Sequence, residues 1–253
     1  MNTVVINPDF VETKDIEQVK YKARAIIVNK KTGEIAINLC WDQYMFPGGG
    51  IENKEEKIRE LGRILQKYKK LSEDEAYNAA YAWVVSKFTE EVAGKQEKAV
   101  EGLIREIAEE LGIKLNKEDI TPKPFLEIKR IDKNLDVNEN ARGVPDTINR
   151  ETITDFFIAT TDKKMDNKRT QLSLDEKRGH LKTYYMKINE AIEAVNEKKK
   201  TALDRKNKIY HQEFDIVMDS FVPLVLESNE DWAKLIKEQI VQKDDATKIS
   251  RDD

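Results

Sequence analysis

Apolar and polar positions alternate or recur along this chain in ways that mark most of its elements. Ala23 to Val28 is an apolar run rich in β-branched residues, Lys30 to Gly33 is a turn, and Glu34 to Leu39 alternates polar with apolar. Together these predict a β-hairpin. Phe46-Pro47-Gly48-Gly49-Gly50 follows and is expected as a loop. From Lys57 to Lys70, Ile58, Leu61, Ile64, Leu65 and Tyr68 form one helical stripe. A second helix is expected from Ser72, with Glu75 completing a capping box, and a stripe of Ala76, Tyr77, Ala80, Tyr81, Val84, Val85 and Phe88. A third is expected from about Glu97 to Leu111, ended by Gly112.

Strands are predicted at Phe125 to Ile131, Thr152 to Thr160 and Lys182 to Ile188. The Asn-, Asp- and Arg-rich stretch 132–150 reads as a long loop. Asn189 caps a helix through Val195, and a further helix is expected from Lys208 to Leu226, with Pro223 able to shorten it. Trp232, Leu235, Ile236 and Ile240 predict a last short helix before a charged tail from Lys243. The pattern divides the chain into residues 1–226, one α+β domain, and residues 227–253, a short helix and tail. The domain is expected to be a mixed β-sheet flanked by helices in an α/β/α sandwich, with a helical hairpin at 56–94.

Composition narrows the function classes. Lys and Arg number 44 against 48 Asp and Glu, a net charge of -4, so no global field draws the chain to nucleic acid or an acidic membrane. One cysteine, Cys40, excludes an internal disulfide, and with only two histidines a structural zinc site is not expected. The first residues show no basic segment followed by a long apolar run, and no stretch has the length of a membrane span. A cytoplasmic protein is expected.

The candidate chemistry lies in Arg105-Glu106-Ile107-Ala108-Glu109-Glu110-Leu111-Gly112-Ile113. At about 100° per residue, Glu106, Glu109 and Glu110 share one helix face. Val100, Ile104, Ile107 and Leu111 take the opposite one. Three clustered carboxylates repel unless cations neutralise them, and hard oxygen donors suit Mg²⁺ or Mn²⁺. A Glu-rich helix is usually just a solvated face. This spacing of Arg, the glutamates and Gly, however, arises by chance only about once in ten thousand chains of this size.

The segment resembles the C-terminal half of the box of the Nudix hydrolases, and Gly48-Gly49-Gly50-Ile51-Glu52-Asn53-Lys54-Glu55 resembles its N-terminal half. The halves are not contiguous. Glu55 and Glu97 both answer to one motif position, and either can fill it; a helical hairpin inserted within the box accounts for the gap. The resemblance implies a pyrophosphohydrolase that cleaves a phosphoanhydride bond of a nucleoside diphosphate derivative, with Mg²⁺ or Mn²⁺ as cofactor. It implies Glu106, Glu109 and Glu110 as metal ligands, the Gly48 carbonyl as a further one, and a late carboxylate, for which Glu176 is the candidate. Glu106 or Glu176 takes the proton of the attacking water, and Arg105 orients a glutamate. The triplet Gly48–Gly50 lacks the Lys-Ser/Thr of a P-loop. Two alternatives stay open: a nucleotide-binding regulator without cleavage, and an RNA-end pyrophosphohydrolase. The aromatic stripe of the second inserted helix, with Tyr77, Tyr81, Trp83 and Phe88, suggests a homodimer contact or a cap over the pocket.

Overall fold

The computed structural model describes residues 2–51, 58, 61–62, 65–66, 69–87, 98–136, 147–166, 168–201 and 205–249. Among these, eight strands form one mixed sheet: β1 (Asn2–Ile6), β2 (Gln18–Asn29), β3 (Ile35–Cys40), β4 (Gln43–Met45), β5 (Gly48–Gly50), β6 (Leu126–Asp136), β7 (Thr147–Thr161) and β8 (Lys182–Met186). The main order is β1-β6-β7-β2-β3-β4, with β5 also pairing β2 and β8 also pairing β3. The pairs β1–β6 and β2–β7 are parallel and the others antiparallel. The helices are α1 (Glu73–Lys87), α2 (Ala99–Leu111), α3 (Leu174–Arg178), α4 (Ile188–Thr201), α5 (Arg205–Glu227) and α6 (Asp231–Ile249).

The sheet carries a core on each face, so the architecture is the expected α/β/α sandwich. Along β2, Ala23, Ala25 and Ile27 point to one face, where they meet Leu103, Ile107 and Leu111 of α2. Ile26 and Val28 point to the other, where they meet Ile188 and Val195 of α4, Val217, Phe221 and Val225 of α5, and Ala233 and Ile236 of α6. The period of two in the strand and the apolar stripe of each helix thus produce the three layers. Alanines at 23, 25, 36 and 159 keep the α2 face shallow, which lets that helix lie close to the strands.

Several boundaries differ from the sequence expectation. The stretch 132–150 is not all loop, because β6 continues to Asp136 and β7 begins at Thr147. Ladder hydrogen bonds do not require apolar side chains, so the polar composition hid both extensions; residues 137–146 lie outside the described residues. The glycine triplet is a short strand rather than a loop, with Arg24 opposite Gly48 and Lys22 opposite Gly50. The run Asn2–Ile6, not anticipated as a strand, pairs along β6. Pro223 does not shorten α5, since Phe221 and Val225, both fully buried, hold the helix across it to Glu227. The last helix is longer than expected, running 19 residues from Asp231, and Trp232 stacks on Phe221 at 6.3 Å between ring centroids.

Of the predicted hairpin at 56–94, Phe88 and much of the first helix lie outside the described residues, as do Glu55 and Glu97 on either side of it. Its second helix begins where predicted, with Ser72 and Glu75 in a reciprocal capping box. Tyr77, Tyr81 and Trp83 on α1 are exposed. No helix among the described residues is long and apolar enough to cross a membrane.

Helix α2 ends as the sequence predicts. Gly112 adopts a left-handed conformation at φ 68°, and a Cβ there would meet the Asp166 carbonyl oxygen at 2.2 Å. Gly112→Ala is therefore expected to cost at least about 1–2 kcal/mol for the left-handed backbone alone. A urea titration should show the midpoint falling with the slope unchanged.

Candidate metal centre

Helix α2 is amphipathic, and its apolar stripe decides where its carboxylates go. With Leu103, Ile107 and Leu111 seated on the sheet, Glu106 and Glu110 are carried to the flank of β5. Glu110 is buried. Its Oε2 accepts the Gly48 N–H at 2.9 Å and the Asn38 side-chain amide at 2.9 Å. Asn38 is itself held by the Thr183 hydroxyl, which donates to its Oδ1 at 2.6 Å. Glu106 rests against Gly49, where a Cβ would meet its Oε2 at 2.2 Å, so only glycine leaves room for the carboxylate.

The third member comes from a distant part of the chain. Glu176 lies in α3, and its carboxylate caps that helix by accepting the Ser173 N–H at 2.6 Å. Glu106, Glu110 and Glu176 each offer an oxygen within 4.8 Å of the others. Three hard carboxylate donors converge here with two of them largely withdrawn from water. This donor set fits a hard divalent cation such as Mg²⁺ or Mn²⁺.

The remaining predicted residues border this cluster. Arg105 Nη1 bonds Glu106 at 2.7 Å and Glu109 at 3.3 Å, and Nη2 bonds the Gly50 carbonyl at 2.8 Å. One guanidinium thus ties two glutamates of α2 to the glycine strand. Glu109 is not among the three converging carboxylates and is partly exposed, paired with Arg105. Gly48, expected to contribute its carbonyl, meets the cluster through its N–H. Glu55 and Glu97 lie outside the described residues.

Two buried residues of the site were missed by the sequence reading. Arg24 stands inside the run taken as apolar, and it donates to the Phe46 carbonyl while its charge bears on Glu110. Asn38 is fully buried in a strand otherwise of Ile, Ala, Leu and Cys. A polar residue interrupting such a run is the signal each left in the sequence.

Electrostatics make the site reluctant to hold its charges alone. Burial pushes Glu110 up to about 8, against the lowering effects of the Gly48 N–H, Arg24 and Asn38. Burial also raises Glu106, with Arg105 opposing it. A cation is what such carboxylates lack.

A scan against models of protein families finds no match, and neither does a search of the curated proteins. Among solved structures, the chain is similar to the E. coli dihydroneopterin triphosphate pyrophosphohydrolase, at 13% identity over 79% of this chain and 99% of that one, TM-score 0.33. It is similar to a MutT/nudix family protein from Enterococcus faecalis, at 11% identity over 71% of this chain and 45% of that one, TM-score 0.32. It is also similar to the C. elegans Ap4A hydrolase, at 13% identity over 79% of this chain and 99% of that one, TM-score 0.32. These likenesses are slight, and the reading of the site rests on its own residues.

The raised pKa of Glu110 has a consequence for stability. Its carboxyl titrates at about 8 in the fold, well above the ordinary glutamate value of about 4.5. The folded state therefore disfavours the ionised form, and metal-free protein should lose stability as pH rises from about 4.5 through 8. Thermal melts in chelator should show the midpoint falling over that window, and Glu110→Gln should flatten the fall. Added Mn²⁺ should raise the midpoint more at pH 8 than at pH 5, because protons compete for the same oxygens.

Proposed function

We propose that the chain is a Nudix-type pyrophosphohydrolase that cleaves a phosphoanhydride bond in a nucleoside diphosphate derivative. The observation that carries this reading is the meeting of Glu106, Glu110 and Glu176 beside the Gly48–Gly50 strand. The motif resemblance rests on α2 and the glycines alone, yet Glu176 joins them from another element.

Glu106, Glu110 and Glu176 would hold Mg²⁺ or Mn²⁺, with Glu109 and the Gly48 carbonyl as further oxygens. The cation would neutralise the diphosphate and make an attacking water more acidic. Glu106 or Glu176 would accept that water's proton. Arg105 is a positioning residue, since it fixes Glu106 relative to Gly50. Asn38 and the Gly48 N–H aim Glu110. The glycine strand brings backbone to within contact of the carboxylates, where any side chain at 49 would displace Glu106.

The test is a screen of nucleoside triphosphates, nucleotide sugars, dinucleotides and capped RNA with Mg²⁺ or Mn²⁺, products being separated by chromatography. Turnover should stop with EDTA. Glu106→Gln and Glu110→Gln should each lower kcat by at least about a hundredfold with the fold retained, a loss in the range of a positioned general base or electrostatic group. Gly49→Ala should lower kcat through displacement of Glu106. Undiminished turnover in EDTA, or in both glutamine variants, would sink the assignment. Binding of nucleotides without release of any product would favour the regulator reading.

A further inference from the structure

A cleft of about 670 Å³ lies on the α2 side of the sheet, apart from the carboxylate cluster. Small-molecule sites usually measure about 300–1,000 Å³ and are mostly apolar with a few polar groups. The floor of this one is Asp155 and Phe157 of β7, and one wall is the first turn of α2, with Ala99 and Val100. The other wall is the segment between the 3-10 turn Lys117–Asp119 and β6, with Ile120, Pro122 and Pro124. That segment is strapped to β7: Ile120 bridges Ala159, the Thr121 N–H donates to the Ile158 carbonyl at 2.9 Å, and the Thr121 hydroxyl accepts the Ile158 N–H at 3.2 Å. Lys117 joins the two walls, 3.0 Å from Glu101 of α2. The cleft is therefore held open by anchored elements.

The charged group on the floor lacks a partner. Asp155 is half-buried and lies directly opposite Glu127 in the β6–β7 ladder, and like charges so placed destabilise a sheet. Glu127 has neighbours of its own, the Thr3 hydroxyl at 3.2 Å and the Lys129 ammonium at 3.8 Å. Among the described residues, Asp155 makes neither a hydrogen bond nor an ion pair. Burial, and then the charge of Glu127, raises its carboxyl above the ordinary range. At the mouth, Lys98 and Lys117 are balanced by Glu101 and Glu118. Glu101 also accepts the Lys98 N–H at 3.4 Å, which places a carboxylate at the positive end of the α2 dipole. The charge left over in the cleft is thus negative, and it sits at the base of an apolar lining.

The cleft is separate from the metal centre. Gly49, Ala23 and Asp155 occupy one row across β5, β2 and β7. Glu106 rests on Gly49, so Asp155 stands two strands, about 10 Å, along the row. Leu103 and Ile107 pack on the alanines between them, and the body of α2 closes the direct path. The carboxylate cluster lies on one flank of the helix and the cleft on the other.

We propose that this cleft binds a small organic cation, an amine, amidine or guanidine on an apolar body, whose head pairs with Asp155 and whose body lies against Phe157, Val100 and the two prolines. A cationic head supplies the hydrogen-bond donors and the opposite charge that Asp155 lacks, and it relieves the repulsion from Glu127. An anionic ligand would add a third negative charge beside them. The site does not depend on the hydrolase reading, since none of its residues belongs to the metal centre.

The test uses benzamidine, a planar amidinium on an apolar ring, and benzamide, its neutral counterpart of nearly the same shape. Calorimetric titration of the wild type should show saturable binding of benzamidine, and benzamide should bind at least about tenfold more weakly, the difference expected of a charge-assisted pair. Asp155→Asn should weaken benzamidine by at least about the same factor. It should melt no lower than the wild type, because it removes one of two facing like charges. Ala99→Phe, which fills the cleft from the helix wall and leaves Asp155 in place, should weaken binding to a similar degree, with a thermal melt to confirm that the variant is folded. Glu106→Gln should bind benzamidine as the wild type does. Absence of benzamidine binding in the wild type, equal binding in folded Asp155→Asn, or equal affinity for benzamide overturns the site. Binding lost in Glu106→Gln but kept in Asp155→Asn would place the amidinium at the carboxylate cluster, and it overturns the site as well.

Discussion

The burial of one carboxylate, Glu110, sets the terms for everything around it. A carboxylate in this position pays for lost hydration unless neighbours replace it, and here the replacements come from separate strands. Gly48 of β5 gives an N–H, Asn38 of β3 gives an amide, and Arg24 of β2 gives a field of opposite sign. They meet only if the sheet divides at β2, with β5 pairing one part of that strand and β3 another. The compensation is incomplete, since the carboxyl still titrates far above its ordinary range. That deficit is the physical case for a cation.

The fold delivers the carboxylates by packing rather than by any attraction between them. Like charges repel, and nothing about Glu106 and Glu110 alone would bring Glu176 to them. Leu103, Ile107 and Leu111 fix the rotation of α2 on a shallow alanine-lined surface, so the polar side of the helix has one place to go. Glu176 is fixed separately, by the capping box of α3 and by β8, which returns along β3 directly after it. The cluster is the intersection of two independently anchored elements.

The two faces of the sheet then differ in kind near the glycine strand. One presents carboxylates and the other presents lysine and arginine, with only backbone and missing side chains between them. Glycine at 48 and 49 is required by contact: a Cβ at Gly48 would meet the Ala23 carbonyl oxygen at 2.2 Å, as one at Gly49 would meet Glu106.

The sequence by itself determined the elements whose signals are local. The amphipathic period placed α2 and its end at Gly112, the β-branched apolar run placed β2, the alternation placed β3, and the spacing of Glu106, Glu109 and Glu110 announced a carboxylate face. The same spacing put Glu109 on an equal footing with the others, and only the tertiary structure set it apart, through Arg105. Only the tertiary structure decided that the glycine triplet is a strand, that β6 and β7 extend through polar residues, and that α5 runs through Pro223. Those outcomes depend on ladder partners and buried contacts far away in the chain, which leave no periodic trace. Asn38 and Arg24 were visible as polar intruders in apolar runs, but their purpose was not, because the group they serve lies 72 and 86 positions away in Glu110. A local pattern records which way a side chain faces; what it faces is set by packing between elements.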